Sequence, residues 1–226
     1  MPLLHAFQKG YSMKKKVIFV LYIGVLLLIY IMLPKMELIL QKRQANIILE
    51  KYNVIKYREI ALPIENSLIS LEQNDISDNT NVSINSDAKV NVNATFDANI
   101  VDIYKPIGIL EIPSLNIKYP ILNKTTDGAL KLSVTAYAGK INEINNFVIA
   151  GHNYKNDFAF GKLKYVQKGD VVKIEGVEYK VFDIFVVDET AVSLVIKNDT
   201  QGERWVTLFT CTNSGKDRLV VRAKAI

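Results

Sequence analysis

Cys211 carries the most distinctive reactive group of this chain, because it is the only cysteine among 226 residues. A thiol without a disulfide partner in its own chain is a buried apolar side chain, an intermolecular bridge or a nucleophile. A nucleophilic thiolate usually needs an imidazole or another positive neighbour. The chain contains two histidines, His5 and His152, and Arg218 follows the cysteine by seven residues. A thiol, an imidazole and a guanidinium together are suited to acyl transfer.

The position of Arg218 relative to Cys211 follows from strand alternation. Two apolar segments, 205–211 and 218–223, flank a polar, glycine-containing connection and are predicted to form a β-hairpin. If Cys211 pairs with Arg218, both lie on one face and the other face is apolar apart from one threonine. The same register gives the pairs Thr207–Arg222 and Phe209–Val220. Arg222 shares the cysteine's face but lies about 13 Å further along the strand, so Arg218 is the candidate.

His152 is expected at the end of another strand. It follows an apolar segment, 147–150, that breaks at Gly151. A lone histidine is more often a surface or structural residue than a catalytic one. Here, however, the lone cysteine also ends a strand, and side chains at strand ends emerge at the rim of a barrel. This coincidence favours a Cys211–His152 pair.

A membrane anchor is predicted near the amino terminus. The unbroken apolar run 17–33 follows three lysines, Lys14–Lys16. As a helix it would be about 26 Å long, just enough to cross a hydrocarbon core of about 30 Å. The lysines place residues 1–16 in the cytoplasm and the remainder outside. No small-residue cleavage site closes the run, so we expect a retained single-pass anchor.

This topology leaves His152 as the only imidazole that can reach Cys211, because His5 lies on the cytoplasmic side. Cys211 would attack a peptide carbonyl, and Arg218 with nearby backbone N–H groups would stabilise the oxyanion. His152 would protonate the leaving amine and later deprotonate the incoming nucleophile. Two histidines on opposite sides of a membrane with one cysteine cannot form a zinc site, so we expect neither metal nor cofactor.

The extracytoplasmic part divides into three regions. Residues 34–72 mix apolar and charged positions at helical spacing and predict one or two juxtamembrane helices. Residues 73–103 are dominated by Asn, Asp and Ser and predict a polar linker. Residues 104–226 contain short apolar segments broken by turn residues and predict a catalytic domain of strands.

The strand pattern predicts an all-β fold. The candidate strands are 108–112, 115–121, 147–150, 171–175, 178–187, 205–211 and 218–223. Seven or eight strands with one brief helix near 127–134 indicate a sandwich or barrel. The net charge of +5 comes partly from lysines beside the membrane segment and forms no basic stripe interleaved with aromatics. Nucleic acid is therefore not an expected partner.

Residues 105–226 resemble the sortases, the membrane-anchored cysteine transpeptidases of Gram-positive bacteria. The resemblance rests on the segments 107–115 (IGILEIPSL), 150–153 (AGHN), 160–163 (FGKL), 169–170 (GD) and 207–211 (TLFTC), with Arg218 seven residues beyond the cysteine. It implies an eight-stranded sortase-type β-barrel with short helices, in which Cys211 cleaves a C-terminal sorting signal of the LPxTG type. The resulting thioester would pass to an amine on a cell-wall precursor or a pilin subunit. The partners implied are surface proteins that bear such signals, and Asn153, Phe209 and Thr210 are expected to border the substrate groove.

Departures from the family pattern bear on the class. The segment 186–190 lacks a proline that many members carry before the cysteine strand, which leaves the groove shape and signal preference open. The connection 188–203 is too short for the helical insertion of class B, and no class C lid with an Asp-Pro and an aromatic anchor precedes the barrel. The resemblance therefore favours class A or class D. An acidic pair, Asp188 and Glu189, is more simply a surface loop than a calcium site.

Three alternatives remain open from the residues alone. The enzyme could be a hydrolytic cysteine peptidase, which shares the acylation step but uses water as acceptor, or a pilin-linking sortase. A non-catalytic, membrane-tethered β-domain that binds a wall component would use Cys211 as a buried apolar residue. The strand register counts against this last alternative, because it places Cys211 on the face of Arg218.

Overall fold

A single long helix begins the chain. The computed structural model describes residues 2–72, 103–197 and 199–226, and helix α1 spans Pro2–Glu72. Its stretch Ile18–Tyr57 is long and apolar enough to cross a membrane, and the apolar window within it is not buried by the protein. An exposed apolar surface of this extent is suited to lipid contact. The helix is therefore a candidate membrane anchor.

The helix also joins segments that the sequence analysis separated. The backbone stays helical from the apolar run through Pro34 into residues 36–72, where one or two separate helices were predicted. A proline inside a helix costs a backbone hydrogen bond, but the following residues are mostly good helix formers such as Leu, Glu, Gln and Lys. The linker predicted over 73–103 lies outside the described residues except for Ile103.

The second part of the chain is a closed barrel of eight strands in the order β1-β2-β3-β4-β7-β8-β6-β5. The strands are β1 (Pro106–Ile112), β2 (Ile117–Leu122), β3 (Val134–Ala138), β4 (Asn145–Ala150), β5 (Val171–Ile174), β6 (Val177–Asp188), β7 (Arg204–Cys211) and β8 (Asp217–Ala225). Two short helices, α2 (Asp127–Leu132) and α3 (Val192–Val195), lie in the connections. The all-β barrel prediction is confirmed.

Strand β3 has no counterpart among the predicted strands. It follows α2 after a single residue, Ser133, so no turn signal marks its start. It is short, contains two alanines, and pairs in parallel with β2 only at Ile121↔Val134 and Leu122↔Thr135. Such a strand is specified by its neighbours rather than by its own residues.

The β7–β8 pair has the register that alternation predicted. Cys211 lies opposite Arg218, with Thr207 opposite Arg222 and Phe209 opposite Val220. The other face is buried in the barrel interior, where it contributes Val206, Leu208, Val221 and Ala223 to the main core. A shift by one residue would move this apolar set to the outside, so burial of the set determines which face carries Cys211.

Candidate active site

Cys211 is the last residue of β7 and carries a half-buried free thiol. It lines two pockets of about 240 Å³ each, which share Asn153, Cys211, Thr212 and Asn213. The first, the histidine pocket, is lined by His152, Asn153, Tyr154, Lys155, Cys211, Thr212 and Asn213. The second, the rim pocket, adds Phe160, Lys164, Val186, Thr210 and Leu219 to the shared residues. Cys211 therefore lies where the two pockets adjoin.

Parallel pairing of β4 and β7 brings His152 to Cys211. Ala150 lies opposite Phe209, and the Gly151 N–H donates a 3.2 Å hydrogen bond to the Phe209 carbonyl. The two strands therefore end side by side, and His152 and Cys211 line the histidine pocket together. The structure thus brings together the two residues that the sequence analysis paired by elimination.

Thr210 fixes the relative position of these two strand ends. Its side chain is buried, and its Oγ1 donates a 2.7 Å hydrogen bond to the carbonyl of Gly151. This bond ties the residue before Cys211 to the residue before His152. Thr210 was predicted to border the substrate groove. It does line the rim pocket, but its hydroxyl contacts the protein backbone.

The turn that presents His152 depends on close packing of Gly151 against Phe160. A Cβ on residue 151 would lie 2.5 Å from the Phe160 ring, which is closer than atoms can approach. The Phe160 N–H donates a 3.0 Å hydrogen bond to the His152 carbonyl, and the Tyr154 ring meets the imidazole edge-on at 5.2 Å between centroids. Backbone and ring contacts therefore hold His152 from two sides.

Burial favours the neutral form of His152. Desolvation lowers the pKa of His152, the positive charge of Lys131 lowers it further, and the negative charge of Asp127 opposes the shift. The charged imidazolium is disfavoured because the pocket solvates it less well than water does. At neutral pH the imidazole is therefore predominantly neutral and able to accept the thiol proton.

A pH titration of His152 is expected to show a midpoint below the ordinary histidine value of about 6.5. NMR of ¹³C-histidine in a His5→Gln variant measures it directly, because His152 is then the only histidine. The lowered pKa makes protonation unfavourable in the folded state. The neutral His152 therefore contributes to folding stability fully above the unfolded-state pKa of histidine. This contribution is lost as the pH falls through the lower pKa of His152 in the folded state. A midpoint at or above 6.5 would contradict the burial argument.

Arg218 lies opposite Cys211, and its guanidinium is held at the β7–β8 connection. Its Nη1 donates to the carbonyls of Gly215 at 3.0 Å and Asp217 at 3.2 Å, and its Nη2 lies 3.3 Å from Glu189 Oε2. Glu189 is the more exposed partner, at 53% against 23% for Arg218. An exposed ion pair of this kind is weak, worth about 0 to 1 kcal/mol. Arg218 is not among the residues that line the histidine pocket or the rim pocket, so its role as oxyanion donor stays a prediction.

The other arginine on this face has a structural role. Arg222 pairs with Asp183 at 3.7 Å, lies over the Phe185 ring at 4.6 Å, and donates to the Leu194 carbonyl. These contacts attach the connection that contains α3 to the sheet. Both guanidinium groups have protein partners, so the preference for Arg218 over Arg222 stays a prediction from the strand register.

The remaining predicted groove residues occupy different positions. Asn153 lines both pockets, and its Nδ2 donates a 3.2 Å hydrogen bond to Asn213 Oδ1 in the β7–β8 connection. Phe209 is half-buried and packs edge-on against Tyr137, with centroids 5.0 Å apart. Sequence reasoning missed Tyr154 and Asn213. Their only signal is closeness in the chain to His152 and Cys211.

The acidic residues at the end of β6, Asp188 and Glu189, have protein partners. Asp188 Oδ1 accepts hydrogen bonds from the Thr190 N–H at 2.9 Å and its hydroxyl at 2.6 Å, and Glu189 pairs with Arg218. Within residues 2–72, 103–197 and 199–226, no group of three or more His, Cys, Asp or Glu side chains is arranged to hold a metal ion.

Comparison with known proteins identifies the family. The sortase domain family model matches residues 110–226, just over half of the chain. The chain therefore belongs to the sortase family and is a sortase-type cysteine transpeptidase. A search of curated proteins gave no match.

Several solved sortase structures are similar to the chain. Sortase A of Listeria monocytogenes is 26% identical, with 54% of this chain and 87% of that chain covered and a TM-score of 0.49. The Clostridium perfringens sortase D5 transpeptidase is 28% identical, with 57% and 86% covered and a TM-score of 0.49. The Group B Streptococcus pilus island 1 sortase C2 is 30% identical, with 57% and 79% covered and a TM-score of 0.49.

Proposed function

We propose that this sortase cleaves a C-terminal sorting signal of the LPxTG type and joins the signal-bearing protein to an amine of a cell-wall precursor, as a class A- or class D-like enzyme. The observation that carries the proposal is the shared pocket of Cys211 and His152, with Arg218 opposite the cysteine in the β-ladder. The short connection between β6 and β7, with the four-residue helix α3, supports a class without a long helical insertion.

In the acylation step, His152 accepts the Cys211 thiol proton and the thiolate attacks the threonine carbonyl of the signal. The negative charge that develops on the carbonyl oxygen is stabilised by the Arg218 guanidinium. As the carbon–nitrogen bond breaks, the imidazolium of His152 gives its proton to the leaving glycine amine. The product is a thioester between Cys211 and the truncated signal.

In the second step, the acceptor amine attacks the thioester carbonyl. His152, now neutral, takes the proton from the attacking nitrogen, and the same guanidinium stabilises the second oxyanion. The carbon–sulfur bond breaks, the Cys211 thiolate leaves and recovers a proton from His152, and a new amide is released. The low pKa of His152 keeps the base form available for this step.

The predicted membrane topology fits substrates that are presented at the cell surface. The lysines before the apolar run favour a cytoplasmic amino terminus and a barrel outside the cell. Leu38 and Gln41, which contact the barrel, lie about 8 to 12 Å along α1 beyond Leu33, the end of the run. The catalytic domain is therefore held near the outer membrane surface, where signal-bearing proteins and membrane-linked precursors both occur.

Product analysis with the full-length enzyme in detergent micelles tests the proposal. A library of sorting-signal peptides is incubated with and without a glycine oligomer, a diamino acid or a lysine-containing pilin peptide, and the products are read by mass spectrometry. We expect an amide-linked product when the amine is present. A free carboxylate alone, even with excess amine, would identify a hydrolase, and selective use of the pilin peptide would identify a pilin-linking enzyme. No cleavage of any signal would overturn the proposal.

A further inference from the structure

We propose that the part of α1 just beyond the membrane segment positions the active-site histidine. The contact is made by an α1 ridge of Leu38, Gln41, Ala45, Ile48 and Tyr52, and its central link is the hydrogen bond between Gln41 and Asn156. The proposal rests on the acyl-transfer function above, because it assigns Gln41 and Asn156 as positioning residues for His152 in that reaction.

The α1 ridge forms one face of the helix. Its members are separated by three or four residues, which places them in a single stripe. Ala45 and Ile48 are 1% and 2% exposed, whereas Gln44, one residue before Ala45, is exposed. Further along, the Tyr52 hydroxyl donates to the Ile107 carbonyl at 3.4 Å. The helix therefore docks along the barrel through a defined face.

The polar link joins this ridge to the segment after His152. Asn156 Nδ2 donates a 2.8 Å hydrogen bond to Gln41 Oε1, and Asn156 Oδ1 accepts a 3.1 Å hydrogen bond from the Phe158 N–H. The amide nitrogen of Asn156 thus bonds to α1, and its amide oxygen bonds to the backbone two residues further along the chain. Loss of Gln41 would leave a partly buried amide without its partner.

Segment 153–160 transmits this contact to His152 because both its ends are fixed beside the histidine. Asn153 and Ala159 form an isolated antiparallel bridge, and the Phe160 N–H bonds to the His152 carbonyl at 3.0 Å. Asp157 and Ala159 have φ values of 66° and 50°, and for Ala159 this left-handed conformation is disfavoured unless the surroundings impose it. A loop of this kind relies on external support, and the α1 ridge supplies it.

Apolar packing reinforces the link on the same side. Ala45 belongs to the buried cluster that contains Tyr119 and Phe158, and Leu38 packs against this cluster. Phe158 lies 5.7 Å from Tyr154, whose ring in turn meets His152. Burial raises the pKa of Tyr154, and the negative charge of Glu37 on α1 adds to the shift. The helix is therefore close enough to affect the ring that abuts the histidine.

The ridge also supports the element on the other side of the histidine. Ile48 is buried together with Leu122 and with Ala129 of α2. The same short helix carries Asp127 and Lys131, whose charges act on the pKa of His152. One helix face thus supports both the segment that follows His152 and the helix whose charges act on it.

The test compares Gln41→Leu, which removes the acceptor, with Gln41→Glu, which retains one, in the full-length enzyme. The matched control is Gln44→Leu, the same substitution at an exposed position one residue before Ala45. We expect Gln41→Leu to lower kcat about three- to tenfold, the size of one lost hydrogen bond, with KM within about twofold. Gln41→Glu and Gln44→Leu should stay near wild type, and Gln41→Leu with Asn156→Leu should be no worse than either alone.

A second readout separates this proposal from the proposed function. In the His5→Gln background, Gln41→Leu should shift the His152 NMR signal and its titration midpoint, whereas Gln44→Leu should leave both unchanged. The groups facing this imidazole are Asp127, Lys131, Tyr154, Lys155 and Cys211, and none is altered by the substitution. An inactive wild type with a shifted His152 signal would contradict only the proposed function. Equal kinetics and equal spectra for Gln41→Leu and Gln44→Leu would overturn the positioning role.

Discussion

Replacement of Cys211 by alanine is expected to reduce sorting-signal cleavage by about four orders of magnitude or more, because no other group in the chain can form the thioester. Cys211→Ser should be nearly as inactive, since at neutral pH an alcohol forms far less of the anionic nucleophile than a thiol does. Initial rates with a fluorogenic signal peptide measure the loss. Intact-protein mass spectrometry of the wild type, without added amine, should show the acyl adduct.

The single thiol makes the control for this experiment direct. Alkylation of the wild type can occur at only one cysteine, so loss of activity in proportion to modification assigns the nucleophile without a substitution. The unfolding temperature of Cys211→Ala should stay close to that of the wild type, because the half-buried thiol leaves little cavity. Full cleavage by Cys211→Ala would falsify the covalent mechanism and return the cysteine to a structural role.

Replacement of Arg218 by lysine is expected to lower the acylation rate by about two orders of magnitude or more, comparable to the loss of an oxyanion donor. Lysine keeps the positive charge but loses the planar arrangement of donors that can bind an oxyanion and the carbonyls of Gly215 and Asp217 together. Single-turnover kinetics with excess enzyme measure acylation apart from transfer to the amine.

Two matched variants separate this effect from simple loss of charge or of a salt bridge. Arg204→Lys makes the same change at an exposed position at the start of β7 and should have the wild-type rate. Glu189→Gln removes the ion pair of Arg218 and should alter the rate by less than about fivefold, since an exposed pair contributes about 0 to 1 kcal/mol. An unchanged rate in Arg218→Lys would exclude the guanidinium as the oxyanion donor.

The local part of the site was readable from the sequence. The β7–β8 hairpin joins residues close in the chain, and only one register buries Val206, Leu208 and Val221 together, so Cys211 had to face the side of Arg218. Burial of the apolar face of this hairpin is therefore enough to place Arg218 opposite Cys211, without contacts from the rest of the fold. The membrane-anchor prediction also followed from the sequence alone, because the apolar run near the amino terminus has a composition suited to the hydrocarbon core of a bilayer.

The pairing of His152 with Cys211 was predicted from the small number of histidines and cysteines in the chain, and not from strand geometry. It depends on parallel pairing of β4 with β7, which are separated by two intervening strands in the chain, and on the Thr210 hydroxyl that ties their ends. Parallel strands are linked by long crossovers, so their pairing leaves no local turn signal. For the same reason β3, held between β2 and β4, was missed.

The sequence by itself determined the chemistry available to this sortase: one thiol, one imidazole in the domain that carries the thiol, and an arginine in register with the thiol. Only the tertiary structure decided how the imidazole is supported. Gln41 and Asn156 are 115 residues apart, and no sequence pattern around either residue predicts their contact. Periodicity shows that the face of α1 with Ala45 and Ile48 is suited to burial. It cannot show what that face meets, since packing partners are selected by shape and burial across the whole fold.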